Sequence, residues 1–519
     1  MRVLQLKYGL LALCTLLLLQ SAGCVSSEQF YEEAYLSRTA AYERWKDARQ
    51  TQEKTQTHIS GELGMSDCLK LVLTNNKSLQ RAVEEKEIAR GERLISYSAI
   101  LPSVGFAGDY TRLDKVSSIA GFTIGDVDNY SSSLKVTQPV FAGGSITAKL
   151  NAAKLFSLLT DQSIRAVTQD VLYAAQKAYL DVLLNQHLLE ISADAVRSAQ
   201  AHLDSVKQRQ EGGVASGFDV LRAEVELSNF KAEHIQNKNA IDVSKSNLLK
   251  IMGVSQDSNI VLSDELEYLP SDVSMDEAVE SAFQRRPDLF KRQLDIKWQQ
   301  EQLNIAKSRW WPRIDSYYEN TWSNPDPHNS TEINWGRAWQ AGITATLPVF
   351  DGFAREGAII QQKARFKQAQ IDLIDTEETA LFELTKALLT IEDSQEFVES
   401  QLLNLARAKE GLRLAEVGYR EGINTQVEMI DAQAALTKAR AFYYQAIYSH
   451  MIARLDLQKA MGILDSQPQD DKAAKSNAEV QSTATADENG EKVVSQKIDS
   501  PEAEYVDDRT TGEQKWNTD

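Results

Sequence analysis

Apolar side chains recur every seven residues along two long stretches of the chain, neither of which contains proline. They are Ala175, Val182, Leu189, Val196 and Leu203 in the first stretch, and Leu384, Ile391, Val398, Leu405 and Leu412 in the second. Smaller or polar residues alternate with them, as in a coiled-coil seam whose helices approach closely. We therefore predict a helix from about Ser145 to about Gln210, on the order of 100 Å long at 1.5 Å per residue. A compact globular domain cannot accommodate an element of that length.

Glycine-containing turns are predicted to end both long helices. The first helix meets Gly212 and Gly213, and the second meets Gly422. Glycine readily adopts the left-handed conformation that terminates a helix. The helical pattern then resumes and runs to Gly253 in the first half of the chain and to Gly462 in the second. Each half is therefore predicted to contain a helix, two strands, a long helix, a turn and a returning helix.

Short segments with alternating apolar and polar residues precede each long helix. Trp339, Ala341 and Ile343, for example, alternate with Gln340 and Thr344. This alternation predicts strands with one apolar face that suits lipid and one polar face that suits water. The predicted strands cover about residues 102–113, 128–141, 312–323 and 336–350. One face of a soluble sandwich is the alternative, but four strands cannot cover both sides of themselves.

The second half of the chain repeats the first, which is the strongest signal in the sequence. Leu101-Pro102 matches Trp311-Pro312 at an offset of 210 residues, and the segment 139–143 matches the segment 348–352 at an offset of 209. The predicted fold class is mainly α with a small β part. The predicted organisation is a signal peptide over 1–23, an N-terminal segment over 24–64, repeat 1 over 65–269, repeat 2 over 270–465 and a disordered acidic tail over 466–519.

The first residues of the chain predict export. Arg2 and Lys7 precede an apolar run over 10–19 that is too short to span a bilayer comfortably, as in a secretory signal peptide. The Ser-Ala-Gly-Cys motif at 21–24 resembles a bacterial lipobox, which would make Cys24 the lipidated first residue. An ordinary signal cleavage near Ala22 is the alternative. After this leader the sequence has no run of 18 apolar residues, so any membrane crossing must use strands.

Charge and cysteine content exclude several function classes. The chain has 74 acidic and 56 basic residues and a net charge of −18, and a surface this acidic repels nucleic acid. The six histidines are widely separated, and no His or Cys motif typical of a metal site occurs. We therefore predict no enzyme, no metal site and no cofactor apart from covalent lipid on Cys24. Cys68, the repeat counterpart of Ala278, is interpreted as a small buried helix residue.

The number of predicted strands points to an assembly of several chains. A membrane barrel must have no open edge, and small barrels need about eight or more strands. One chain supplies four strands, so chains must associate. Three copies would give a closed wall of twelve strands.

The duplicated unit, the paired Pro-Val-Phe-x-Gly strand ends and the paired glycine turns together resemble the TolC family of outer-membrane efflux and secretion channels over roughly residues 65–462. The resemblance implies a homotrimer in which a twelve-stranded barrel in the outer membrane continues into a long α-helical tube in the periplasm. It also implies a periplasmic adaptor and an inner-membrane pump as partners, with passive conduction of substrate. Residues 24–64 would pack along the outside of the tube. The alternative is a non-conducting periplasmic coiled-coil scaffold lipoprotein.

The resemblance also assigns residues to a gate at the periplasmic tip of the tube. Glu428 and Asp431 share a helix face, and three chains would place six carboxylates around one axis as a cation-selective ring. An exposed helix face with ordinary charges is the alternative. Asp219 and Tyr419 match positions at which the family holds the tip shut by hydrogen bonds. Asn424 stands where some members carry an arginine.

The remaining predicted site residues lie in turns. The turns from barrel to tube would contain Pro139, Gly143, Pro348 and Gly352, and the tips that contact the adaptor would contain Gly213, Val214, Gly422 and Ile423. The segment 143–145, Gly-Gly-Ser, superficially suggests a phosphate-binding loop, but no Lys-Ser/Thr pair follows it. We interpret it as a tight turn, because glycine at such junctions serves backbone geometry.

Overall fold

After an N-terminal helix and a short strand, the first half of the chain folds as two helices, a strand pair, a long helix and a returning helix. The computed structural model describes residues 27–51, 59–119, 122–124, 126–326, 328–329 and 333–465. The first elements are α1 (Ser27–Thr51), β1 (Ser60–Leu63), α2 (Met65–Asn75), α3 (Lys77–Ser98), β2 (Ser103–Arg112), β3 (Ser117–Ile119), β4 (Phe122–Ile124), β5 (Asp128–Ala142), α4 (Ser145–Glu211) and α5 (Gly217–Met252). The chain divides into two units, Met1–Asp465 and Ser466–Asp519, and every element described here belongs to the first.

The second half of the chain repeats this order from the short strand onward, without a counterpart of β3 and β4 among the described residues. Its elements are β6 (Asn259–Leu262), α6 (Met275–Arg285), α7 (Pro287–Ser308), β7 (Arg313–Asn324), β8 (Gly336–Thr346), α8 (Ala354–Arg420) and α9 (Gln426–Ala460). The long helices α4 and α8 each have 67 residues, about 100 Å at the rise of an α-helix. The predicted fold class is therefore confirmed. Among the described residues, no helix is both long enough and apolar enough to cross a bilayer.

The single helix predicted before each strand pair is two helices, so that prediction was wrong. In repeat 1 the Asn76 side chain accepts hydrogen bonds from the backbone N–H groups of Ser78 and Leu79, which starts α3 as a new helix. In repeat 2 the break falls at Arg286, because Pro287 occupies the first turn of α7 and disfavours a helical conformation in the residue before it.

The fourth predicted strand is shorter than expected, and two small pairings were not predicted. β8 ends at Thr346, opposite Arg313, rather than at residue 350, because Pro348 has no N–H group for the ladder. β3 and β4 form a separate antiparallel pair in the loop between β2 and β5. β1 pairs in parallel with β6, and its Leu63 is buried.

Four strands form one open antiparallel sheet in the order β2, β5, β7, β8. Residues directly opposite each other in adjacent strands share a face. One face carries the apolar row Val104, Val136, Tyr318 and Ala341 and the row Phe106, Leu134, Asn320 and Trp339. The other face carries the row Gly105, Lys135, Glu319 and Gln340, in which Glu319 pairs with Lys135 at 3.5 Å and accepts a hydrogen bond from Gln340 at 2.9 Å. The predicted separation of an apolar face from a polar one is present.

The seven-residue pattern coincides with the packed seams of the two long helices. Ala175, Val182 and Leu384 are fully buried, and Val398 and Leu405 are nearly so. The α2 helix adds Cys68, which is completely buried like its repeat counterpart Ala278, and burial raises the pKa of the Cys68 thiol to about 12. Cys68 is therefore a small core residue, as interpreted from the sequence.

Helix α4 of repeat 1 runs beside helix α9 of repeat 2 and the residues just after α9. They are joined by a row of side-chain contacts, which we call the inter-repeat ladder. Its contacts are Arg165 to Asp465 (3.1 Å), Asp170 to Lys459 (2.8 Å), Tyr173 to Asp456 (2.6 Å), Tyr448 to Asp181 (2.5 Å), the stacked rings of His187 and Tyr444, Arg440 to Asp194 (3.1 Å) and Gln426 to His202 (3.4 Å). From one contact of the ladder to the next, the residue number rises along α4 and falls along α9, so the two helices are antiparallel. The ladder ties the two repeats together from Arg165 to His202 along α4 and over the whole of α9.

Several predictions concern the ends of the chain. The signal peptide over 1–23, Cys24 and the acidic tail over 466–519 lie outside the described residues. Residues 30–44 of α1 are exposed within the single chain. The packing of the segment 24–64 along the outside of a tube stays a prediction.

Candidate functional site

Both long helices end in glycine turns of the same shape at one end of the molecule. Gly213 and Gly422 each have a φ of +76°, and the residue after each donates its backbone N–H back into the last turn of the helix at 2.8 Å. Those two residues, Val214 and Ile423, have 70% and 80% of their surface exposed. Exposed apolar side chains in two adjacent turns suit contact with another protein. Contact of these four residues with an adaptor stays a prediction.

Glu428 and Asp219 occupy equivalent positions and cap the helices that follow the turns. The Glu428 carboxylate accepts a hydrogen bond from the backbone N–H of Thr425 at 2.8 Å, while the Thr425 hydroxyl accepts one from the Glu428 N–H at 3.3 Å. Ser216 and Asp219 form the same reciprocal pair. Hydrogen bonds from Ser216 hold the pKa of the Asp219 carboxyl below its usual range. Both acids therefore cap a helix at the tip in addition to carrying a negative charge there.

Asp431 lies one helical turn after Glu428, and both carboxylates are exposed in the single chain. The structure thus places the two predicted ring residues on one face of α9, next to the tip. Their convergence around an axis requires neighbouring chains and stays a prediction.

Asp219 and Tyr419, which the resemblance assigns to hydrogen bonds at the tip, do not bond to each other within the described part of this chain. The Asp219 carboxylate is held by Ser216, and the Tyr419 ring packs against the edge of His202 and beneath the guanidinium of Arg209, 4.7 Å from the ring centre. The guanidinium of Arg209 attracts the aromatic face and holds the Tyr419 ring in place. Asn424 packs its side chain against Gly418, where a Cβ atom would lie 2.6 Å from it.

Gln426 links the two tips, and sequence reasoning missed it. Only 8% of its surface is exposed, and its Nε2 atom lies 3.0 Å from the backbone carbonyl of Asp219 in α5 and 3.4 Å from Nε2 of His202 in α4. Its Oε1 atom is buried and has no hydrogen-bond partner among the described residues. The repeat counterparts of Gln426 and His202 are Gly217 and Gly411. The sequence signal for this link was that each of the two positions carries a side chain in one repeat and glycine in the other.

A cavity of about 590 Å³ lies beside this link, between the helix pair of repeat 1 and that of repeat 2. Its lining includes Ser198 to Arg209 of α4, Phe230 of α5, Tyr419 of α8 and Met429 to Gln433 of α9. The two helix pairs are therefore less closely packed near the tip than along the rest of the ladder.

The opposite ends of the long helices join the sheet through the predicted turns. Pro139 precedes an irregularity in the β5–β7 pairing, and Gly143 follows with a φ of +60°. Pro348 follows the end of β8, and Gly352 has a φ of +66°. A Cβ atom on Gly143 would lie 2.5 Å from the Ser308 carbonyl oxygen, so only glycine fits there.

Arg355 holds the second of these turns, and sequence reasoning missed it as well. Its buried guanidinium pairs with Asp351 at 2.9 Å, donates to the Val349 carbonyl at 3.2 Å and lies 4.4 Å from the ring centre of Trp310. The turn is thereby fixed to the residues just after α7, and with it the direction in which α8 leaves the sheet.

Comparisons with known proteins agree with this architecture. The family model described as Outer membrane efflux protein matches residues 68–254 and 278–463. The alkaline protease secretion protein AprF of Pseudomonas aeruginosa is 22% identical over 413 residues, which cover 78% of this chain and 85% of AprF. The outer membrane protein TolC of Escherichia coli is 22% identical over 425 residues, which cover 80% of this chain and 85% of TolC.

A solved structure has the same fold. The crystal structure of the Campylobacter jejuni CmeC outer membrane channel superimposes with a TM-score of 0.68 at 16% identity, covering 79% of this chain and 88% of CmeC. The two segments matched by the family model begin within α2 and α6 and end just after α5 and α9, so they are the two repeats. The chain therefore belongs to the outer membrane efflux protein family.

Proposed function

We propose that this protein is the outer-membrane channel of an efflux or type I secretion system and conducts substrate passively from the periplasmic side to the exterior. The observation that carries the proposal is the open four-stranded sheet, apolar on one face and polar on the other, joined to two 67-residue helices. The family is one of outer-membrane transport proteins rather than of enzymes.

The open sheet supports a trimer. Its edge strands β2 and β8 each have one side with no neighbouring strand in the described sheet, and a lipid environment does not tolerate backbone N–H and C=O groups left unpaired there. Pairing β8 of one chain with β2 of the next satisfies those groups, and three chains give a closed barrel of twelve strands. The sheet face that carries Phe106 and Trp339 then faces lipid, and the opposite face, which carries Lys135 and Glu319, faces the lumen.

The long helices support a tube that reaches into the periplasm. Helices of about 100 Å extend well beyond a hydrocarbon core of about 30 Å. Their exposed tips, with Val214 and Ile423, are then available to a periplasmic adaptor, and an inner-membrane pump supplies the energy. AprF is by name a secretion protein for alkaline protease, and CmeC is an outer membrane channel. The same general role is proposed for this chain.

Purified mature protein should behave as a trimer that conducts ions. In mild detergent we expect a particle with three times the mass of one chain, measured by light scattering with correction for bound detergent. Planar bilayers should then show discrete conductance steps. A monodisperse single chain without current in lipid would contradict the proposal and favour a non-conducting scaffold.

Lipidation of Cys24 is proposed as an additional anchor. A channel held by its own barrel should stay in the outer-membrane fraction after a high-salt wash even when Cys24→Ser removes the lipid. A scaffold held only by lipid should become soluble in the same variant. Mass spectrometry of the wild-type N-terminal peptide, with the serine variant as reference, tests the lipid itself.

The acidic ring should set ion preference. The double variant Glu428→Gln and Asp431→Asn removes six charges from a trimer, while the new amide at position 428 can still accept the hydrogen bond from the Thr425 N–H. We expect its preference for cations over anions to fall, as measured by the reversal potential in a salt gradient. Asp219→Asn is the control, since it alters an equivalent capping acid in repeat 1. Unchanged selectivity in the double variant would reject the ring.

A further inference from the structure

We propose that Gln426 is a latch that holds the repeat 2 tip against repeat 1, and that protonation of His202 releases it. The inference rests on the proposed channel function and deepens it. It goes beyond the residues matched by family resemblance, because the side chains of Asp219 and Tyr419 contact Ser216 and Arg209 rather than each other.

The latch is the last contact of the inter-repeat ladder. Gln426 is the first residue of α9, and its amide contacts both helices of the repeat 1 pair, at His202 in α4 and at the Asp219 carbonyl in α5. The next ladder contact, Arg440 to Asp194, lies about four turns further along α9. Between them the cavity replaces packed side chains over much of the seam. Apart from the contacts of the Tyr419 ring with Arg209 and His202, few side-chain contacts hold this part of the seam, and a loosely packed segment opens most easily.

The hydrogen-bond geometry requires His202 to be neutral. The Asp219 carbonyl can only accept, so the Gln426 nitrogen must face it, and the same nitrogen faces His202. An amide nitrogen only donates, so Nε2 of His202 must accept, which places the ring proton on Nδ1. A protonated ring would present N–H to N–H. Rotating the Gln426 amide by half a turn would let Oε1 accept a hydrogen bond from the protonated ring, but Oε1 would then face the Asp219 carbonyl oxygen. Protonation of His202 therefore breaks at least one of the two hydrogen bonds of Gln426.

The surroundings of His202 favour its neutral form while the tip is closed. Burial and the positive charge of Arg209 on α4 lower the pKa of His202. The other charged or titratable groups lining the cavity are Glu226 on α5 and Glu416, Tyr419 and Arg420 on α8, and α9 contributes none. A lowered pKa means that the closed tip is stable above the ordinary histidine pKa of about 6.5 and loses stability as the pH falls below it.

Single-channel recording at about pH 7.5 and about pH 5.5 tests the latch. In the wild type, acidification should raise the open probability about fivefold for each latch broken, the change expected from one lost hydrogen bond. Gln426→Leu keeps the size of the side chain without its donors, and should be open at both pH values. His202→Gln can accept the Gln426 donor at any pH, and should stay closed at both.

His187→Gln is the matched control. His187 lies on the same face of α4, stacks on Tyr444 of α9 at a ring distance of 4.0 Å, and also has a pKa lowered by burial. It should keep the wild-type pH response. A pH response that persists in His202→Gln, or one that disappears equally in His187→Gln, would overturn the latch while leaving conduction intact. A wild-type protein that carries no current at either pH would overturn the channel function and the latch with it.

Discussion

Ala341→Arg should prevent stable insertion of the protein into the outer membrane, whereas Gln340→Arg, one residue earlier, should leave insertion intact. Both positions are exposed in the single chain, so neither change disturbs a packed core. Ala341 lies near the middle of β8 opposite Tyr318, on the apolar face. Arginine at the midplane of a lipid-facing barrel surface costs about 2–4 kcal/mol. Three copies would cost a trimer about 6–12 kcal/mol, comparable to the whole stability of a domain.

The control works because Gln340 points to the other side of the same strand. Its side chain donates to Glu319, and arginine at this position can pair with the same carboxylate. Urea extraction of membranes followed by immunoblotting of pellet and supernatant measures insertion. Equal insertion of the two variants would show that the apolar rows do not face lipid.

Gly143→Ala should destabilise the assembled protein much more than Gly352→Ala, although the two glycines occupy equivalent turns. Each has a positive φ, so alanine costs about 1–2 kcal/mol of backbone strain at either site. Only at Gly143 does the added carbon also meet the Ser308 carbonyl at 2.5 Å and the Trp311 Cβ at 2.6 Å, whereas Gly352 has open space. Overpacking of this kind adds about 1–3 kcal/mol.

Thermal unfolding in detergent, followed by circular dichroism of the helices, separates these two variants. The melting temperature should fall clearly for Gly143→Ala and only slightly for Gly352→Ala. If both fell by the same amount, contact with α7 would have no part in holding the turn from sheet to helix.

The long helices and the sheet were predictable because their signals are periodic and duplicated. A seam position such as Leu384 has the same spacing as its neighbours over many turns, and its burial follows from that spacing. The break at Asn76 was missed because it depends on a local hydrogen bond. The asparagine side chain accepts from the backbone N–H groups of the next helix and so caps that helix, and periodicity does not report this. Pro287 gave a signal for the equivalent break in repeat 2.

The tip could be located from the sequence, but its contacts could not. Gln426 and His202 are 224 residues apart, and nothing in either local pattern indicates that they meet. Tyr419 and Asp219 are chemically suited to each other, yet Arg209 and Ser216 are nearer partners in the folded chain. Such choices between competing partners are settled by the packing of four helices, which periodicity alone does not describe.

The parallel pairing of β1 with β6 constrains the order in which the chain can fold. Their paired residues are 199 positions apart, and the helices α2 to α5 lie between them in the sequence. A polypeptide that emerges N-terminus first must therefore include residues 259–262 before β1 can pair, although Tyr179, whose hydroxyl lies 2.9 Å from the Leu63 carbonyl, is made earlier. Strand β1, although made early, cannot complete its pairing until all of α5 has been made.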